Sequence, residues 1–183
     1  MERVILAWSG GKDSTMSLYE IEKGKNYEVV SLLTTVTKDY DRVSMHGVRR
    51  ILIEQQAESL GLPIEEMFIS KDSSNEEYES KMREVLTREY ANGVTAVAFG
   101  DIFLEDIRRY REEKLSQVGM RAIFPIWKRD TRELAVGFID AAFQAILTCV
   151  DSKQLDGSRL LKCSVGREDS FFTCAINGCC SSD

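Results

Sequence analysis

Val4-Ile5-Leu6-Ala7-Trp8 is a continuous apolar run that passes directly into Ser9-Gly10-Gly11-Lys12-Asp13-Ser14 and then into a stretch with helical spacing. This junction constrains the chain more than any other feature. A strand that is apolar at successive positions is covered on both faces, as in a parallel sheet. Two glycines after it let the backbone turn tightly and approach a ligand. The amides of the following helical turn point outwards from the strand end, and the helix dipole favours an anion there. Ser9 and Ser14 add hydroxyl donors, and Lys12 adds a positive charge. Asp13 suits a first helical turn and offers a carboxylate to hold the loop or a magnesium ion. Together these residues make a phosphate-sized cradle; the plainer reading is a glycine-rich turn that only links strand to helix.

The rest of the chain repeats the strand–helix alternation. Strands are expected over 4–8, 28–36, 66–70, 94–99, 121–124 and 144–150, where Val, Ile, Leu and Thr concentrate. Helices are expected over 14–23, 48–60, 74–91, 104–118 and from Asp130 or Thr131 to about Ala142, where apolar residues recur three and four apart. Gly24, Gly61, Gly93 and Gly119 stand at their expected stops, and Ser74 or Asn75 at an expected start. This order predicts an open, five-stranded parallel sheet with helices on both faces. In such sheets ligands bind beyond the carboxyl ends of the strands, which directs attention to 9–14, 37–46 and 100–106.

Composition narrows the function. The net charge of -6 argues against a non-specific nucleic-acid binder, which needs a basic face. No apolar run approaches the roughly 20 residues of a membrane helix, and the polar loop after Trp8 does not suit a signal peptide, so a cytoplasmic protein is expected. Of the five cysteines, Cys149 sits in an apolar run and reads as a core residue. Cys163, Cys174, Cys179 and Cys180 lack the paired spacing of a zinc site and read as free thiols.

The six-residue loop is neither of the common nucleotide fingerprints. Ser-Gly-Gly-Lys-Asp-Ser after an N-terminal strand resembles the pyrophosphate-binding loop of the N-type ATP pyrophosphatases, the PP-loop family. Further elements are similar to the diphthine–ammonia ligase-like branch of that family: Phe99-Gly100-Asp101-Ile102 with Arg108-Arg109-Tyr110-Arg111-Glu112-Glu113, Phe124-Pro125-Ile126-Trp127-Lys128-Arg129-Asp130, and Cys149-Val150-Asp151 with Leu155-Asp156-Gly157-Ser158. The resemblance runs over about 3–158. It implies a Rossmann-like fold of the adenine nucleotide alpha hydrolase type. It also implies ATP and Mg2+ as cofactors, with cleavage to AMP and pyrophosphate. A carboxylate-type acceptor, on a small molecule or a modified protein residue, would be adenylated and then passed to ammonia or an amine. A homodimer is left open.

In this light Ser9, Gly10, Gly11, Lys12, Asp13, Ser14 and His46 are the expected ATP-binding residues, and Asp101, Asp106 and Arg109 the expected catalytic ones, with Asp101 also the candidate metal ligand. Each has an ordinary alternative. Asp101 equally suits a helix cap. Asp106 and Arg109 lie three apart on one helix and equally suit a solvated ion pair. His46, the single histidine, equally suits a helix entry. Lys128 and Arg129 are placed to balance phosphate charge or to pair at the surface. None of the cysteines is assigned to catalysis.

The domain is expected to span 1–158, with 159–183 an atypical, truncated tail. Family members continue with an acidic, glycine-rich segment, and only Ser164-Val165-Gly166-Arg167-Glu168 keeps a trace of it here. Two other functions therefore stand beside the ligase: an adenine-nucleotide-binding module without catalysis, and a tRNA-modifying PP-loop enzyme. The acidic charge counts against the second.

Overall fold

A computed structural model describes residues 1–147, 164–165 and 174–176. The elements are β1 (Glu2–Ala7), α1 (Lys12–Gly24), β2 (Tyr27–Thr37), β3 (Arg42–Val43), α2 (Arg50–Leu60), β4 (Ile64–Ile69), α3 (Asn75–Ala91), β5 (Ala96–Ala98), α4 (Glu105–Ser116), β6 (Arg121–Ile123), α5 (Thr131–Asp140), β7 (Ala145–Leu147), β8 (Ser164–Val165) and β9 (Cys174–Ile176).

The main sheet grows outwards from β1. Leu32 and Leu33 of β2 pair with Leu6 and Ala7 on one side and with Ile64 and Glu65 on the other, all in parallel. β1 also pairs in parallel with β5, and β5 with β6. The parallel strands therefore run β4-β2-β1-β5-β6, the open sheet that the alternation predicts. The chain winds to one edge, then crosses back to β5, so the topological switch lies between β1 and β5. A short antiparallel strand, β3, pairs with the far end of β2 through Val36↔Val43 and Thr37↔Arg42. It is too short and too charged to leave a periodic signal in the sequence.

Both faces of the sheet are covered. Val4, Leu6 and Trp8 pack with Leu18 and Ile21 of α1 and Ile53 and Ala57 of α2. Ile5, Leu33 and Val97 pack on the other side with Val85 and Leu86 of α3 and Leu115 of α4. This double cover is why β1 is apolar at consecutive positions. A third cluster, with Met16, Ile126, Leu134, Phe138 and Ala145, fastens α5 to α1.

Local chemistry sets the helix ends. Ser74 caps α3 by accepting from the Glu77 amide at 3.2 Å, and Asp130 caps α5 by accepting from the Arg132 and Glu133 amides at 2.9 and 3.0 Å. Gly61 ends α2 with a left-handed φ of 66°. α1 differs from the expectation at both ends: it begins at Lys12, inside the loop, and Gly24 is its last helical residue. Lys25 takes the left-handed turn at φ 53°, because its amide still closes the final turn on the Ile21 carbonyl.

Of the strand expected over 144–150, the described part is β7, which lies outside the main sheet. It pairs with β8 in antiparallel and with β9 in parallel fashion. Strand-like composition records a preference for extended backbone but not the partner, which here comes from distant residues. Cys149, Cys163, Cys179, Cys180, the Leu155–Ser158 element and the domain boundary at 158 lie outside the described residues. Among the described residues no helix is long and apolar enough to cross a membrane.

Glu2 ties the start of β1 to its neighbours. It accepts from Thr95 Oγ1 at 2.7 Å and from Arg121 Nε at 3.1 Å. Those hydrogen bonds, Thr95 foremost, hold its carboxyl below the ordinary glutamate value. The unfolded chain then binds the proton more readily, so this contribution is complete above the ordinary value and is lost as pH falls from there through the lowered value of the folded state. The parent is expected to melt higher than Glu2→Gln at neutral pH, with the gap closing below pH 4.5. A gap independent of pH in thermal melts would contradict this.

Candidate active site

The loop after β1 is built by its own short contacts. Gly10 takes a left-handed φ of 73°. The Ser9 hydroxyl accepts from the Gly11 amide at 3.3 Å and lies 3.3 Å from the Ser14 hydroxyl. Ser14 Oγ and Thr15 Oγ1 both donate to the Gly11 carbonyl, at 2.9 and 3.0 Å. The Thr15 amide donates to the same carbonyl and is the first intrahelical bond of α1. No side chain caps the helix. The amides of Lys12, Asp13 and Ser14 precede the first helical bond and so lack an intrahelical acceptor. They stand at the positive end of a 13-residue helix, where the dipole favours an anion.

Lys12 sits at the mouth of this turn, and its Nζ lies 2.5 Å from Asp13 Oδ1. A phosphate arriving there must exchange with the Asp13 carboxylate for the ammonium group. His46 follows β3, on the hairpin that extends β2. Withdrawal from water holds its imidazole below the ordinary histidine value, and the Asp13 carboxylate pulls the other way, although the residue still reaches solvent. Asp13 and His46 are therefore electrostatic neighbours at the loop.

β5 delivers the second group of residues to the same place. A Cβ built on Gly100 would stand 2.9 Å from the Asp13 carbonyl carbon and 3.0 Å from the Ser14 amide nitrogen. The end of β5 thus rests directly on the first turn of α1, which is the switch point that the strand order defines. Asp101 follows. Its Oδ2 lies 2.8 Å from Arg111 Nε, and its Oδ1 accepts from Arg111 Nη2 at 3.4 Å. The Oδ2 atom is buried and has no aligned hydrogen-bond donor. Arg111 in turn lies over the Phe99 ring, 4.1 Å from its centre. Phe99 stacks on Phe124, and Arg108 lies over both Phe124 and Trp127, at 5.0 and 4.8 Å.

Arg108, Arg111 and Leu115 share the inner face of α4. Arg109 is a hundred degrees round the helix, and it pairs with Asp106 at 3.7 Å with side chains 78% and 95% exposed. Asp106 and Arg109 thus share a face but stand in solvent, and Asp101 is held by a different arginine. The spacing of Arg108 and Arg111 from buried Leu115 is the signal that separates the inward from the outward arginines. Lys128 and Arg129 are each paired, with Glu105 at 3.0 Å and Glu20 at 2.8 Å. Lys128 adopts a left-handed φ of 57° while its amide donates to the Ile102 carbonyl at 2.8 Å, closing the β6 loop over the β5 loop.

Among the described residues no group of three or more His, Cys, Asp and Glu side chains could hold a metal ion. Single carboxylates are present at Asp13 and Asp101. That donor set fits magnesium carried in on phosphate oxygens and water, with one protein carboxylate, and does not fit a closed protein cage.

The profile of the diphthamide synthase N-terminal domain matches residues 2–122, the larger part of the chain. No curated protein matches it. Solved structures with a similar trace include a predicted subunit of a tRNA methyltransferase from Methanocaldococcus jannaschii, at 18% identity and a TM-score of 0.46, covering 73% of this chain and 74% of that one. Another is the U34-tRNA thiolase NcsA from Methanococcus maripaludis with its [4Fe-4S] cluster, at 18% identity and a TM-score of 0.45, covering 75% of this chain and 56% of the thiolase.

Proposed function

The chain belongs to the diphthamide synthase N-terminal domain family, of the PP-loop, ATP-using type, and from that premise we propose that it adenylates a carboxylate-type acceptor and passes it to ammonia or an amine. The observation that carries this reading is the uncapped first turn of α1, with Lys12 at its mouth and the end of β5 packed against it. ATP enters as a substrate. The Lys12, Asp13 and Ser14 amides and the Lys12 ammonium bind its terminal phosphates, which leaves the α-phosphate facing the β5 side of the switch point. An acceptor carboxylate oxygen attacks the α-phosphorus, the bond to the β-phosphate breaks, and pyrophosphate leaves with its charge held by the same amides. An amine then attacks the acyl carbon and AMP departs. Magnesium, when bound, would be carried by the phosphates and Asp13 or Asp101, and would neutralise charge on pyrophosphate.

The remaining roles follow from position. Ser9 and Gly10 shape the turn, Gly11 starts the helix, and His46, which feels the Asp13 carboxylate, would contact the nucleotide. Asp101 anchors the acceptor side through Arg111. Asp106 and Arg109, which pair with each other in solvent, would receive the incoming acceptor, with Arg109 matched to its carboxylate.

The test is product analysis with ATP, Mg2+, ammonia and a panel of carboxylic acids. AMP and pyrophosphate formed only with a carboxylate support the ligase. ADP and orthophosphate would overturn the cleavage site. Acceptor-dependent AMP release with tRNA, and with no carboxylate, would move the chemistry to a base carbonyl. Tight ATP binding without any turnover would leave a nucleotide-binding module.

A further inference from the structure

Gln56 lies on α2, far from the loop in sequence, yet it touches the loop on both sides. Its Oε1 accepts from Trp8 Nε1 at 2.9 Å, and its Nε2 faces the Gly10 carbonyl at 3.4 Å. The two partners demand opposite chemistry. An indole N–H is a donor only and a carbonyl is an acceptor only. A primary amide answers both at once, whereas a carboxylate lacks the donor, a lysine lacks the acceptor, and an aliphatic chain lacks each.

The same side chain occupies the space where Gly10 has none. A Cβ on Gly10 would stand 2.7 Å from Gln56 Oε1 and 2.4 Å from Ile53 Cδ1. Ile53 and Gln56 are three apart on one face of α2, and Ile53 is fully buried. The back of the phosphate loop therefore rests on Ile53 and Gln56, with the Gln56 carboxamide as a polar contact.

We infer that Gln56 is the positioning residue of the phosphate loop: it links the end of β1 to the Gly10 peptide and so sets the direction of the amides that follow. This rests on the proposed binding of ATP at the loop. Gln56 touches no substrate; it acts through the Gly10 carbonyl, whose orientation fixes the Gly11 peptide and the start of α1.

The experiment uses the full chain with Gln56→Glu and Gln56→Met. Affinity for ATP is read by calorimetry, and hydrogen exchange of the Trp8 indole N–H by NMR. Gln56→Met is expected to weaken ATP binding about tenfold, the loss of one hydrogen bond that leaves its partner unsatisfied, and to speed Trp8 exchange. Gln56→Glu keeps the acceptor for Trp8 and loses the donor to Gly10. It is expected to preserve slow Trp8 exchange while weakening ATP binding at least as much, a split that general loss of packing would not produce. The methionine variant, uncharged and of similar length, carries the test alone if the carboxylate unfolds the chain. Parent-like ATP affinity in either folded variant would overturn the role of Gln56. A parent chain that itself fails to bind ATP would instead overturn the nucleotide reading, and this inference with it.

Discussion

Lys12→Ala is expected to weaken ATP binding by about 1–3 kcal/mol, the range for losing a charge-assisted contact, with little change in melting temperature. The two readouts separate because Lys12 is partly exposed and its ion pair partner is its own neighbour, Asp13. Removing a solvent-accessible pair of this kind barely affects folding. Removing the ammonium from the phosphate site also leaves the Asp13 carboxylate facing a polyanion without its counter-charge. The double variant Lys12→Ala with Asp13→Asn should therefore recover part of the lost affinity in calorimetric titrations made without magnesium. Unchanged affinity in Lys12→Ala would remove the loop from the phosphate site.

Gly100→Ala is expected to lower both stability and ATP affinity. Gly100 is in the way of no flexible side chain; its missing Cβ faces the backbone of Asp13 and Ser14 at 2.9–3.0 Å. Backbone in the first turn of a packed helix does not swing aside. Either β5 or α1 must shift, at about 1–3 kcal/mol for a methyl forced into a close-packed interior. The shift falls on the amides that the proposed function uses, so affinity should drop together with melting temperature. A Gly100→Ala variant with parent-like melting and parent-like ATP binding would show that the β5 end and the loop are not in contact.

Both predictions concern one junction, and its two halves were unequally legible. The strand, the turn and the helix start from Val4 to Ser14 are contiguous, and each rests on local rules: apolar run, glycine pair, helical spacing. Asp101 and the arginines of 108–111 stood out as a group. Which arginine does what did not, because Arg108, Arg109 and Arg111 are chemically alike and differ only in direction around α4. The structure turns Arg111 onto Asp101 and Phe99, turns Arg108 onto Phe124 and Trp127, and leaves Arg109 in solvent. Gln56 was illegible for a different reason. One glutamine in an amphipathic helix resembles any other until the loop it packs against is known.

By itself the sequence determined the five helices, the parallel strands of the main sheet, the glycine-rich turn between β1 and α1 and the family, since these depend on periodicity, turn chemistry and a contiguous motif. The tertiary structure alone decided the strand order with its switch between β1 and β5, the exclusion of β7 from the main sheet, and the partners of Asp101, Gly100 and Gln56. Those are pairings between residues that are not neighbours in the chain, from ten positions apart for Asp101 and Arg111 upwards. They exist only when the chain closes on itself, and the choice among many similar partners is then made by packing over the whole core, which no local stretch of sequence encodes.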